Sequence, residues 1–151
     1  MKLTSSSFDE NSFMKPKYTA DGENLCPDFY ISDVPENTRQ LILLCHDPDA
    51  TAGIPWVHWF VSGIPGSTKQ IMSGKVPAEA SEHINSFGTR GYGGPSPSSG
   101  SGPHRYVFSL LALSENTNLD TNKQMSYREI LDTLNPLLLA ETSYTGIYER
   151  V

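Results

Sequence analysis

Cysteine is nearly absent. Cys26 and Cys45 are the only two, both lie in or near apolar segments, and neither has a Cys-x-x-Cys partner. That spacing signals neither a zinc site nor a redox motif, so reduced, packed thiols are expected. Basic clusters are absent too. Lys and Arg total 11 against 17 Asp and Glu, a formal net charge of −6. Neither general nucleic-acid binding nor attraction to an anionic membrane is expected from such a chain, although a small local anion pocket is compatible with it. No apolar run approaches bilayer length. Met1–Ser7 holds no apolar h-region, so no secretory signal is visible and a cytoplasmic protein is the expectation. There is no Gly-x-Ser-x-Gly elbow, no His-Glu-x-x-His pair, no P-loop and no dinucleotide fingerprint. These gaps argue against the commonest hydrolase, metalloprotease and nucleotide-binding chemistries. No cofactor or bound metal is expected.

What is present is the composition of a globular chain, 37% hydrophobic and 19% charged over 151 residues. One domain spanning 1–151 is expected. Leu41–Cys45 is a continuous apolar run bounded by turn signals, which reads as a strand buried on both faces. Trp56–Ile64 is rich in aromatic and β-branched residues and Arg105–Leu113 is apolar, so both read as strands. Residues 63–83 carry scattered Gly, Pro and Ser with little periodicity. Gly88–Pro103 holds most of the local Gly, Pro and Ser. Taken alone it reads as a linker, but the short remainder of the chain favours a long functional loop on one domain. Ser126-Tyr127-Arg128-Glu129 reads as a capping box. Tyr127, Ile130, Leu131 and Leu134 follow at helical spacing, and Pro136 breaks or kinks that helix. Glu141–Arg150 looks extended. Several strands with one late helix give a mainly antiparallel β domain, in which a sandwich and a barrel are not separated by strand count.

Four polar-plus-aromatic motifs stand at the edges of these apolar runs: His46-Asp47-Pro48-Asp49, Trp56-Val57-His58-Trp59, Gly91-Tyr92-Gly93-Gly94-Pro95 and Pro103-His104-Arg105-Tyr106. Alternation in a strand sends Trp56, His58 and Phe60 one way and Val57, Trp59 and Val61 the other, towards the core. His104 and Tyr106 share a face in the same manner. Pro48 pushes Asp47 towards extended geometry. An Asx turn is the plain reading of the Asp47/Asp49 pair, with one carboxylate free to enter a pocket. An Asp beside two histidines would raise their pKa and favour imidazolium, a charge-assisted anion donor. The Gly91–Pro95 loop could cradle an anion with its amides.

The ordered set of motifs resembles the phosphatidylethanolamine-binding protein family, in its prokaryotic Raf-kinase-inhibitor-like branch. The likeness runs over almost the whole chain. It takes in Lys17-Tyr18-Thr19-Ala20-Asp21-Gly22, Asp47-Pro48-Asp49-Ala50, Trp56-Val57-His58-Trp59-Phe60, Asn85-Ser86-Phe87-Gly88, Gly91–Pro95, His104–Phe108 and the closing Gly146–Arg150. The resemblance implies a two-sheet antiparallel β-sandwich with a few peripheral helices. It also implies a small pocket for an anionic group such as phosphate or phosphoethanolamine. By position, Asp47, His58 and His104 match the pocket's polar residues, while Trp56, Gly94, Pro95 and Tyr106 match its walls. The chain departs from the family at Cys26, Thr51, Ser96 and Ser98, which bears on loop conformation and ligand preference more than on fold.

The leading expectation is therefore a non-enzymatic binding protein. His58 and His104 N–H groups would hold the anion, and Asp47 would orient a histidine. The alternatives are a hydrolase using the Asp and His groups, and a protease or kinase inhibitor acting through the Pro95–Pro103 loop. A kinase or protease partner and a homodimer rest on the resemblance alone. The resemblance also places a cis peptide at Ile54–Pro55.

Overall fold

The computed structural model describes Met1–Val151. The strands are β1 (Lys2–Thr4), β2 (Ser12–Phe13), β3 (Phe29–Ser32), β4 (Gln40–Asp47), β5 (Trp56–Ile64), β6 (Gln70–Ile71), β7 (Ser81–Glu82), β8 (His104–Leu113) and β9 (Leu138–Tyr148). One α-helix, α1 (Tyr127–Leu134), lies between β8 and β9. A six-stranded sheet runs β2-β9-β8-β4-β5-β7, and a three-stranded sheet runs β1-β3-β6. All pairings are antiparallel except β2 with β9, which is parallel. No helix is long and apolar enough to cross a membrane.

The apolar run of β4 is explained by its position. It lies between β8 and β5, and every one of its residues is buried. Leu41, Leu43 and Cys45 enter a core shared with Leu3, Phe29, Ile31 and Ile71 of the small sheet. Ile42 and Leu44 face the opposite way, into a second core closed by Ile130 and Leu134 of α1. A strand with apolar partners on both faces needs no alternation. The helix starts where the sequence signals it. Ser126 Oγ accepts from the Glu129 amide at 3.1 Å, and the Glu129 carboxylate accepts the Ser126 amide at 3.3 Å. It ends at Leu134, and Pro136 lies in a 3₁₀ turn. Both cysteines are buried and free.

Two expectations need correction. Strict alternation fails in β5, because Cys45 pairs with Trp59 but His46 pairs with Val57. His58 is thus an extra residue in a β-bulge, and the bulge re-aims every side chain after it. Trp59 and Val61 enter the inter-sheet core, whereas Phe60 joins Val57 in the core beneath α1. The chain also contains no cis peptide bond, so Ile54–Pro55 is trans. Proline narrows the gap between isomers but leaves trans lower by ~0.5–1 kcal/mol. Ile54 is exposed, so no packing there reverses that preference.

Candidate functional site

The site forms at one end of the large sheet, where β4 finishes and β5 and β8 begin. Asp47 pairs across the ladder with Trp56, and β8 brings His104 and Tyr106 in from the other side of β4. These residues line a cavity of about 190 Å³ together with His58, Ala50, Thr51, Ala52, Phe87, Ser96, Pro97 and Ser98. Five of the seven residues expected at the site, Asp47, Trp56, His58, His104 and Tyr106, are therefore brought together. Gly94 and Pro95 do not line this cavity. Both are buried behind its wall, where the Gly94 amide donates to Asn24 Oδ1 at 2.8 Å and the Pro95 carbonyl accepts from Ala20 N at 3.0 Å. They hold the loop against the Tyr18–Asn24 segment. Ser96, Pro97 and Ser98, which follow them, form the wall.

Asp47 both shapes its loop and enters the site. Its Oδ1 accepts the Asp49 amide at 2.7 Å, the expected Asx turn, and its Oδ2 accepts His104 Nδ1–H at 2.8 Å. Asp49 turns outward to Arg105, which donates from Nε and Nη2 at 2.9 and 2.8 Å. Those guanidinium hydrogen bonds hold the Asp49 carboxyl down at about 2.

The two histidines differ from the expected pair of free imidazolium donors. His58 Nδ1–H already donates to the Gly93 carbonyl at 2.6 Å. Burial pulls His58 below its ordinary pKa, against the opposing pull of Gly93 and Asp47. Its ring is boxed edge-on by Phe87 and Tyr106, with centroids 5.2 and 5.1 Å away. A neutral His58 presents Nε2 as an acceptor. His104 has both nitrogens engaged, because its Nε2 lies 2.9 Å from Ser101 Oγ. The free donors are elsewhere. Trp56 Nε1 and Tyr106 Oη are enclosed and have no hydrogen-bond partner, a costly condition for a buried polar group unless a ligand or water supplies one.

The loop that walls the cavity is fixed by the end of the chain. Arg150 donates to Asp21 Oδ1 at 2.6 Å and to the Pro97 carbonyl at 3.1 Å, and its own carbonyl accepts Gly100 N at 3.0 Å. Sequence reading did not find Ser101 beside His104, nor the pairing of Arg150 with Asp21. A lone serine in a Gly- and Ser-rich loop carries no signal of its own, and neither does a pairing across 129 residues.

A profile described as phosphatidylethanolamine-binding protein matches residues 4–149. The chain belongs to that family. It is 36% identical to a UPF0098 protein of Aquifex aeolicus over 154 residues, covering 99% of this chain and 89% of that one. It is 34% identical to a UPF0098 protein of Methanothermobacter thermautotrophicus, covering 99% of each. The crystal structure of Escherichia coli YbcL, described as a new member of the mammalian PEBP family, superposes with a TM-score of 0.92 at 28% identity. That match covers 99% of this chain and 98% of YbcL. The mainly β, two-sheet architecture expected from the resemblance is thus the fold of this family.

Proposed function

We propose that this family member binds, without turnover, a singly charged phosphate group in the cavity between Asp47, Trp56, His58, His104 and Tyr106. The observation that carries the reading is the pair of enclosed, unpartnered donors, Trp56 Nε1–H and Tyr106 O–H, in a cavity of about 190 Å³. Once the lining shifts enough to uncover these two buried atoms, a phosphate oxygen accepts from both. The protonated oxygen of a monoanion donates to His58 Nε2, which a neutral ring leaves open as an acceptor. The Asp47 carboxylate, engaged with His104, disfavours a dianion by charge repulsion. Inorganic phosphate and a phosphate monoester such as free phosphoethanolamine share this chemistry, because each monoanion keeps a P–OH.

The proton that governs affinity therefore rides on the ligand. A phosphate monoester loses its second proton near pH ~6. Affinity for phosphoethanolamine is expected to fall more than about tenfold between pH 5.5 and 8 as the monoanion disappears. The test is an NMR titration of the His58 and His104 imidazoles with inorganic phosphate and with phosphoethanolamine, chelator present, at both pH values. Saturable shifts at His58 that weaken with pH support the reading, and an unmoved His58 ring or a flat affinity rejects it. Phosphoethanolamine binding much tighter than phosphate would point to a phosphate monoester as the natural ligand.

A further inference from the structure

We propose that Ser101 is an activated nucleophile, and that Asp47, His104 and Ser101 together carry out acyl transfer from small esters at the exposed turn beside His104. The three side chains form a continuous line. Asp47 Oδ2 accepts His104 Nδ1–H at 2.8 Å, and His104 Nε2 lies 2.9 Å from Ser101 Oγ. An orienting carboxylate, a base and a hydroxyl in hydrogen-bond sequence are the geometric criteria for an activated serine, whatever the fold that presents them.

Each member is held as its role needs. The Asp47 and His104 side chains are only 5% and 4% exposed, so their bond is shielded from water. The second oxygen of Asp47 is pinned by the Asp49 amide, which stops the carboxylate from turning away. Ser101 is exposed, as a nucleophile acting on an external substrate must be. It sits between Gly100 and Gly102, both at positive φ, and a Cβ added to either glycine would meet nothing within 4 Å. The glycines on both sides of Ser101 therefore crowd nothing, and the turn that carries it stands clear of neighbouring atoms. Ser101 Oγ also lies 2.7 Å from the Ser98 carbonyl, a resting acceptor from which the hydroxyl rotates to His104. The loop does not drift, because Arg150 ties both Pro97 and Gly100.

The reaction balances without a cofactor. Ser101 Oγ attacks the ester carbonyl carbon while its proton passes to His104 Nε2. The C–O bond to the leaving group then breaks, and that oxygen takes the proton from His104. The result is acyl-Ser101 and a free alcohol. Water, deprotonated by His104, cleaves the acyl-enzyme to a carboxylic acid and restores Ser101. The cavity that His104 lines, about 190 Å³, has room for a short acyl chain.

The experiment exposes the full chain to a fluorophosphonate probe and to p-nitrophenyl acetate, with adducts read by intact mass and peptide mapping. The probe reacts by forming a phosphorus–oxygen bond at serine and releasing fluoride. A single adduct on Ser101 is expected, with a p-nitrophenol burst of one equivalent per chain. Ser101→Ala should abolish both, and Ser99→Ala should leave both unchanged. His104→Gln should slow labelling by about a hundredfold, the usual weight of a general base. No adduct on Ser101, equal labelling of neighbouring serines, or an undiminished burst in Ser101→Ala overturns the proposal. Phosphate titration of the same Ser101→Ala protein, which leaves the Asp47–His104 pair in place, separates this result from the fate of the binding reading.

Discussion

Mild acid should destabilise this fold through two buried histidines that do not line the candidate cavity. His46 and His83 are buried, and each has an Nδ1 without a hydrogen-bond partner. The His46 ring stacks on Tyr127, the first residue of α1, with centroids 4.0 Å apart. His83 stacks on Phe60 at the same separation, and its Nε2 lies 2.7 Å from Ser62 Oγ. Burial, reinforced by His58 and then Arg105 near His46 and by Arg90 near His83, pulls each from 6.5 to about 4. A folded-state pKa below the unfolded one means that the unfolded chain binds more protons between those values. Stability is therefore intact above pH 6.5 and drains away as pH falls towards 4. At pH 5, each histidine costs about 2 kcal/mol, so the pair costs about 4 kcal/mol. For a chain of this length that lowers Tm by about 8–16 °C. His58, displaced in the same direction, adds to the loss. Asp49 does not intrude on this window, because a carboxyl held at about 2 contributes stability that is lost only under stronger acid.

The assay is thermal unfolding followed by far-UV circular dichroism in phosphate-free buffers from pH 7.5 to 5. The control variant is His46→Phe/His83→Gln, which keeps the stack on Tyr127 and a polar partner for Ser62 but removes both titrating rings. The wild-type midpoint should fall across this range, and most of the fall should vanish in the variant. A wild-type midpoint that moves by less than about 2 °C, or a fall of full size in the variant, would refute the reasoning, since a cost of about 4 kcal/mol cannot hide in a chain of this size.

Gly94→Ala places a Cβ 2.5 Å from Asn24 Oδ1 and 2.6 Å from the Tyr18 carbonyl. Overpacking of this kind costs about 1–3 kcal/mol, and denaturant unfolding should show it together with weaker phosphate binding as the wall beyond Pro95 shifts. Ser126→Ala removes the acceptor for the Glu129 amide and should cost about 1 kcal/mol with the cavity unaffected. Equal phosphate affinity and a lower urea midpoint are the expected pair of readings, and an unchanged midpoint would argue that the capping box adds nothing. His104→Ala removes the donor to the buried Asp47 Oδ2 and should cost about 1.5–3 kcal/mol, the weight of a hydrogen bond to a charged group. A loss below about 1 kcal/mol in urea unfolding would mean that the carboxylate is rehydrated or was never dependent on the ring.

Sequence and structure agree wherever a signal is local and strong. β4, β5 and β8 announce themselves by runs of eight to ten residues, and α1 by a capping box and a helical stripe. The small sheet gives no such signal, because β6 has two residues and β3 four. Their pairing is decided by the inter-sheet core rather than by pattern. Strand-edge motifs place Asp47, Trp56, His58, His104 and Tyr106 in one cavity because those residues close or open strands that are neighbours in the sheet. The His58 bulge is different. Period-two reading carries Phe60 to the pocket face, and only the pairing of Cys45 with Trp59 and of His46 with Val57 reveals the extra residue.

That bulge links fold to function. Without it, regular alternation could not put both His58 and Trp59 on the inter-sheet side of β5. The chain gains a polar ring at the cavity while keeping tryptophan in the core. His58 then fixes the glycine loop from both of its own polar ends: its ring donates to the Gly93 carbonyl, and its backbone carbonyl accepts the Gly93 amide at 2.9 Å. The loop docked in this way runs on through Gly94 and Pro95 to Ser96, Pro97 and Ser98, the wall opposite Asp47. One irregular residue in a strand thus sets the position of a wall more than thirty residues later in the chain. Its chemistry follows from the same constraint. A histidine that spends Nδ1–H on holding a loop has only Nε2 left to offer the cavity, and on the reading proposed above it would offer it as an acceptor, to a phosphate that still carries a proton.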